Sequence, residues 1–129
     1  YRSLTRSRVK VACADIKNPP AHVDPGHVEG KRCGTHRCLK ECPHARFLPE
    51  SLDGIAMRIE ELMAISDNVS IDAWIKGGFD KELVAGEYLL DELYAQEEVE
   101  RAREHWRERI LFGEHVVPGV GFIRQQEVA

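Results

Sequence analysis

The fold is decided by the stretch from Pro49 to Asn68, which has the sequence PESLDGIAMRIEELMAISDN. Its first residues, Pro49-Glu50-Ser51, are typical of a helix start, and Ser66-Asp67-Asn68 is typical of a helix end. Between them, apolar side chains recur every three or four residues on one face: Leu52, Ile55, Ile59, Leu62 and Met63. The stretch therefore predicts one amphipathic helix, and the acidic pair Glu60-Glu61 is expected on its outer face.

The following residues predict further helices. Ser70 is expected to cap a short helix that Gly77-Gly78 ends, and two longer helices are expected over residues 79–94 and 96–112. Gly86 lies inside the first of these, where glycine costs about 1 kcal/mol relative to alanine. That cost indicates that another backbone packs closely against residue 86. We therefore predict a mainly α fold, with three to four helices between residues 50 and 112.

Three aromatic side chains lie within this helical region: Trp74, Phe79 and Trp106. We expect them to belong to the core, because large aromatic residues are mostly buried. The alternative is that they are exposed anchors of a protein–protein interface.

Composition divides the chain near residue 46. Residues 1–46 contain no Phe, Trp or Met and carry ten Lys/Arg against four Asp/Glu, a balance of +6. Residues 47–129 carry eight against eighteen, a balance of −10. We therefore expect a basic, cysteine-rich, mostly loop segment over residues 1–46 and an acidic helical domain with a flexible C-terminal tail over residues 47–129. A basic segment is suited to a phosphate backbone or an acidic partner.

The sequence shows no targeting or membrane-spanning segment. No apolar run approaches the roughly 20 residues that cross a bilayer, and no signal-peptide pattern opens the chain. These observations favour a cytoplasmic protein without membrane contact. The first residue is Tyr1, not Met, which indicates a piece of a longer protein.

The cysteines are the main functional signal. Three of them lie within ten residues, in the sequence CGTHRCLKECPH (Cys33–His44), and Cys13 lies twenty residues upstream. In a reducing compartment, clustered cysteines are more often metal ligands than disulfides. Four thiolates can form the tetrahedral shell of a structural zinc site, with sulfur at about 2.3 Å from the metal. The predicted ligands are Cys13, Cys33, Cys38 and Cys42, with His44 as the alternative to Cys13.

Other chemistry for these cysteines is weaker. An iron–sulfur cluster also uses four thiolates, and Pro43 after Cys42 is a feature of some ferredoxin sequences, but ferredoxin spacing is tighter. The cysteines can also be independent thiols. The sequence has no Cys-x-x-Cys motif and no phosphate-binding loop, so we expect no catalytic role and no small-molecule substrate for this chain.

The region from Cys13 to Ala45, with its Cys-x4-Cys-Leu-x-x-Cys-Pro-His-Ala ending, is followed by Pro49-x-x-Leu52 and charged helices. This arrangement resembles the cysteine-rich C-terminal extension of phage- and plasmid-type site-specific recombinases, the tyrosine-class integrases. The resemblance covers residues 11–65 and implies a role in DNA recombination. The catalytic His-x-x-Arg element of that family is missing, since no histidine has an arginine three positions later. The resemblance therefore implies an accessory module and not the catalyst.

Two functions follow from these observations. The first is a zinc-stabilised accessory module that contacts DNA through its basic residues: Arg6, Arg8, Lys10, Lys31, Arg32, Arg37 and Lys40. The second is a protein–protein or self-association module in which the metal is purely structural and nucleic acid is not contacted.

Overall fold

A computed structural model of the 129-residue chain describes residues 5–6, 10–13, 17, 20–31, 33, 39 and 45–118. Its helices are α1 (Ser51–Ser66), α2 (Ile71–Lys76), α3 (Phe79–Leu93) and α4 (Gln96–Leu111). The prediction of a mainly α fold is confirmed, and the helix bounds agree closely with those expected from sequence. None of the helices in the described part of the chain combines the length and hydropathy that crossing a bilayer requires. The described residues end at Pro118, so the predicted C-terminal tail lies outside them.

Local signals set the helix bounds. The Oγ of Ser70 accepts a hydrogen bond of 3.1 Å from the backbone N–H of Ala73, which satisfies a donor that the first turn of α2 otherwise leaves unpaired. Gly78 separates α2 from α3 with a φ of 72°, and Gly113 follows α4 with a φ of 74°. Both values lie in the left-handed region, which glycine adopts without a steric penalty.

Helix α1 is the centre of the domain and packs against α2, α3 and α4. The prediction of a one-sided apolar face is wrong for this helix, because Met57, Arg58, Glu60 and Glu61 are buried together with the expected Ile55, Ile59 and Leu62. Of the other two expected residues, Leu52 is half-buried and Met63 is exposed. A helix that has neighbours on several sides has little solvated surface left. The larger core cluster joins α1 to its neighbours through Val11, Leu39, Ile55, Met57, Ile59 and Leu90.

A smaller core cluster lies near the end of α1. Leu62 and Ile65 pack there with Val117, which is fully buried although it lies after α4. The residues that follow α4 are therefore folded back onto α1.

Gly86 of α3 faces α1 at a position with no room for a side chain. A Cβ atom at this position would lie 2.5 Å from Cδ1 of Ile59 and 3.0 Å from Cδ1 of Leu39. The predicted close contact is thus confirmed, but the neighbours are side chains and not another backbone.

The N-terminal part contributes a small antiparallel sheet. Its strands are β1 (Thr5–Arg6), β2 (Ala12–Cys13) and β3 (Ala45–Arg46), in the order β1-β2-β3. The sheet is joined to the start of α1 by Ser51, whose Oγ donates to the carbonyl oxygen of Lys10 at 2.9 Å and accepts from the N–H of Leu48 at 3.0 Å. The prediction of mostly loop before residue 46 holds for the described residues, which apart from these strands form turns, bends and irregular backbone.

Candidate functional site

Cys13 is the best-defined member of the predicted metal site. It lies in β2, is buried at 9% exposure, and pairs with Ala45 of β3. Ala45 comes three residues after Cys42 in the sequence, so the register returns this end of the cysteine-rich segment to Cys13.

The segment is also fixed at a second point. Leu39, which directly follows Cys38 in the sequence, is 1% exposed and packs in the same core cluster as Val11. Cys33 is half-buried. The other predicted ligands, Cys38, Cys42 and His44, lie outside the described residues. Among the residues that the structure describes, no three His, Cys, Asp or Glu side chains are grouped to hold a metal ion.

The loop between Cys13 and Cys33 is built from turns. The N–H groups of Val23 and Asp24 both donate to the carbonyl oxygen of Pro20, and the N–H of His27 donates to that of Asp24 at 3.2 Å. The latter bond closes the turn that Asp24-Pro25-Gly26 predicts. The His27 ring nitrogen Nε2 lies 2.6 Å from the carbonyl oxygen of Lys31, which closes the end of this loop.

Only some of the predicted DNA-contacting residues lie in the part of the chain that the structure describes. Arg6 lies in β1 and Lys31 is exposed, whereas Arg8, Arg32, Arg37 and Lys40 lie outside the described residues. Lys10 is half-exposed, and its ammonium group forms an ion pair with Asp53 of α1. Lys10 thus connects the sheet to the helical domain.

Asp53 joins three segments of the fold. Its second oxygen accepts a hydrogen bond of 2.8 Å from the indole N–H of Trp106 on α4. Partial burial alone would raise the pKa of Asp53, but the hydrogen bonds from Lys10 and Trp106, with the charges of Lys10 and His105, outweigh burial and hold this pKa below its ordinary value. The carboxylate is therefore stabilised in its ionised form.

A buried charge cluster lies in the helical core and was not predicted from sequence. The guanidinium of Arg58 on α1 donates to Glu82 of α3 through Nε at 2.7 Å and Nη2 at 3.1 Å, and to Glu61 through Nη1 at 3.1 Å. The Glu61 and Glu82 side chains are 0% exposed. Burial alone would lower the pKa of Arg58, but the bonds and charges of the two carboxylates raise it.

The cluster extends to α4 and to the residues after it. The His115 ring nitrogen Nε2 lies 2.6 Å from Oε2 of Glu61. Glu60, only 4% exposed, accepts hydrogen bonds from Nε of Arg103 at 2.7 Å and from Nε of Arg107 at 3.1 Å. The acidic pair is therefore buried and paired, and the expectation of a solvated outer face is wrong. Glu97 and Glu98 of α4, in contrast, are exposed.

A sequence signal for this cluster does exist. Arg58 is three residues after Ile55 and four before Leu62, so it falls within the apolar stripe of α1. Glu82 is placed in the same way between Phe79 and Gly86 on α3. A cation and an anion on the inner faces of two successive helices are expected to pair, because an unpaired buried charge is strongly unfavourable.

The three aromatic residues are half-buried at the core margins. Trp74 and Phe79 stack with ring centroids 5.6 Å apart and pack against the smaller core cluster. Trp106 packs against the larger cluster, and the rings of His105 and His115 meet it edge-on at 5.1 and 5.2 Å. Their arrangement is closer to the predicted core role than to that of exposed anchors.

No family model matches this chain, and neither the curated proteins nor the solved structures include a significant match.

Proposed function

We propose that this chain is a non-catalytic, zinc-stabilised accessory module of a DNA-recombination protein of the integrase type, and that its basic N-terminal segment contacts DNA. The observation that carries this proposal is the pairing of Cys13 with Ala45. This register supports Cys13 as a ligand together with Cys33, Cys38 and Cys42, because it ties the two ends of the segment that contains the other cysteines to one small sheet.

The energetics of the sheet also support a bound metal. Each of its strands has two residues, and sheets this small do not hold together without further packing or cross-links. Val11 and Leu39 provide some burial against the helices. A structural zinc ion can contribute on the order of 10 kcal/mol, enough to order the remaining loops. Cytoplasmic location belongs to the same proposal, since reducing conditions keep the thiolates available.

Elemental analysis of protein purified without chelator or added metal tests the zinc site. We expect one zinc ion per chain, lost in Cys13→Ser, Cys33→Ser, Cys38→Ser and Cys42→Ser. His44→Ala distinguishes the alternative fourth ligand, and His22→Ala is the matched control, since His22 is exposed in the loop. Bound iron with visible absorbance would show that the site holds an iron–sulfur cluster and not zinc. Protein without bound metal would contradict a metal site.

The proposed contact with DNA is based on the positive charge of residues 1–46. The basic balance of residues 1–46 favours phosphate contacts, while the acidic helical domain is repelled by them. Because Lys10 is engaged with Asp53, the contacts are assigned chiefly to Arg6, Lys31 and the basic residues near the cysteines: Arg8, Arg32, Arg37 and Lys40.

Fluorescence anisotropy with duplex DNA at several salt concentrations tests this contact. Each phosphate contact adds about 0.9 to the slope of log affinity against log salt. We expect Lys31→Glu to weaken binding and to lower that slope. Lys76→Glu is the control, because Lys76 is an exposed lysine of the helical domain that pairs only with Asp72 among the described residues. Absent or salt-insensitive binding would contradict direct contact with DNA.

The second candidate function, a self-association module with a purely structural metal, is favoured by a different observation. Val84 and Tyr88 lie one turn apart on α3 and are 68% and 63% exposed. Exposed apolar residues at this spacing form a stripe that a partner helix can cover.

A further inference from the structure

The outer side of α3 carries a second apolar stripe. The inner side is formed by Gly86 and Leu90, which are buried against α1 and its neighbours. Val84 and Tyr88 point the opposite way, and no described residue covers them. A single exposed apolar side chain needs no explanation, but two on one stripe define a face.

Charged residues continue this stripe at both ends. Lys81 precedes Val84 by three residues, and Asp91 follows Tyr88 by three, so the four positions have the 3-4-3 spacing of a heptad seam. Lys81 and Asp91 are exposed, and neither forms an ion pair with another residue in the described ranges. The stripe thus has a cation at one end, two apolar residues in the middle and an anion at the other end.

We propose that this face of α3 binds a second copy of the chain, with the two α3 helices antiparallel about a twofold axis at the level of residue 86. In this arrangement Lys81 meets Asp91 of the partner subunit, and Val84 meets Tyr88 of the partner subunit. Each contact occurs twice, as an isologous interface requires. The pairing also matches the seam positions that face each other in antiparallel coiled coils.

Other occupants fit the face less well. A parallel pair would place Lys81 against Lys81 of the partner subunit and Asp91 against Asp91 of the partner subunit, which is unfavourable. A basic helix of another protein would satisfy Asp91 but would be repelled by Lys81. A second copy in the antiparallel orientation satisfies both charges.

The interface is small, so it predicts a concentration-dependent equilibrium and not an obligate dimer. It involves neither the cysteines nor the basic N-terminal residues. Its failure would therefore leave the zinc and DNA proposals untouched, and their failure would leave the dimer untouched.

Sedimentation equilibrium of the full chain over a range of concentrations tests the proposal. We expect a monomer–dimer equilibrium that Tyr88→Glu abolishes. Lys81→Glu alone and Asp91→Lys alone should each raise the dissociation constant roughly tenfold, since two exposed ion pairs become repulsions. The double variant K81E/D91K exchanges the charges and should restore the original dissociation constant.

The charge exchange in K81E/D91K should not destabilise α3. It places an acid in the first turn of the helix and a base in the last, which the helix dipole favours. Weaker association of this variant would therefore not be explained by unfolding. Val28→Glu is the matched control, because Val28 is a 63% exposed apolar residue in the loop before Cys33 and belongs to no helix. Monomers at every concentration, a double variant as weak as the single ones, or equal loss in Val28→Glu would each overturn the proposal.

Discussion

Arg58 of α1 and Glu82 of α3 form a bidentate ion pair inside the helical core, with nitrogen–oxygen distances of 2.7 and 3.1 Å. The Arg58 side chain is 8% exposed and that of Glu82 is 0% exposed. Both charges are thus removed from water and depend on each other for compensation. Glu61 contributes a second carboxylate to the same guanidinium.

The losses of stability from replacing the two members of this pair should not add. Glu82→Leu leaves a buried guanidinium with one carboxylate fewer, and a loss of about 3–5 kcal/mol in the free energy of unfolding is expected. Arg58→Met/Glu82→Leu should lose less than the sum of the single changes, because either change alone already breaks both hydrogen bonds between the two side chains. Urea unfolding followed by circular dichroism measures both. Glu104→Leu, on the exposed side of α4, is the control and should change stability by under about 0.5 kcal/mol; additive single changes would contradict the pairing.

Gly86→Ala should fail to stabilise α3, although alanine is the better helix former by about 1 kcal/mol. The new methyl group would lie 2.5 Å from Cδ1 of Ile59, and overpacking a core typically costs about 1–3 kcal/mol. Ile59→Val removes that Cδ1 atom. We therefore expect the double variant to be more stable than the sum of the two single changes predicts, by about 1 kcal/mol or more. Chemical denaturation of the four proteins gives this coupling, and a coupling of zero would show that the contact is not the cause.

The helix bounds could be predicted because their signals are local. The Ser70 cap and the glycine pair at 77–78 act on backbone groups within a few residues, so the sequence around them is sufficient. The close packing at Gly86 could be predicted in the same way, because glycine is unfavourable within a helix unless a neighbour packs closely against it.

The partners of the buried charges could not be predicted in the same way, because they are distant in the sequence. Glu60 pairs with Arg103 and Arg107, which lie 43 and 47 residues further along the chain. Spacing within α1 shows where Glu60 lies on the helix but not which element covers it. The same applies to Cys13, since its pairing with Ala45 is a long-range register that no cysteine spacing contains.

The ion pair between Asp53 and Lys10 should make stability depend on acid pH. The pKa of Asp53 in the folded chain is below its ordinary value, so ionisation contributes stability above that value, and the contribution is lost as the pH falls through the folded pKa. Asp53→Asn keeps an oxygen that can accept from Trp106 but removes the charge. The stability difference between the original chain and Asp53→Asn should shrink between about pH 5 and pH 2. Lys10→Met removes the same attraction and should reduce this dependence; a difference that is constant over the range would contradict the assignment.

Tyr94 makes the opposite prediction at alkaline pH. Its hydroxyl group donates a hydrogen bond of 2.8 Å to the carbonyl oxygen of Leu48, just before α1. Burial, together with the charge of Glu50, raises the pKa of Tyr94, and a hydrogen bond with Ser51 opposes this only in part. The neutral phenol is therefore favoured in the folded chain, and its contribution is present below the unfolded pKa and lost as the pH rises through the folded one.

Tyr94→Phe should consequently be less stable than the original chain at neutral pH, by about 1 kcal/mol, the typical net value of one hydrogen bond. The difference in the free energy of unfolding should narrow above about pH 10. There the Tyr94 hydroxyl ionises in the unfolded chain, which stabilises the unfolded state of the original protein but not that of Tyr94→Phe. If the hydroxyl also ionises in the folded chain, it no longer donates to the carbonyl oxygen of Leu48. The other ionisable groups are common to both proteins, so their contributions cancel in the difference. Urea unfolding at pH 7, 9 and 11 measures it, at protein concentrations low enough to dissociate the proposed α3 dimer. Tyr88→Phe is then the control, because Tyr88 is exposed on α3. A gap that widens with pH would mean that the phenolate, and not the phenol, is the form stabilised beside Leu48.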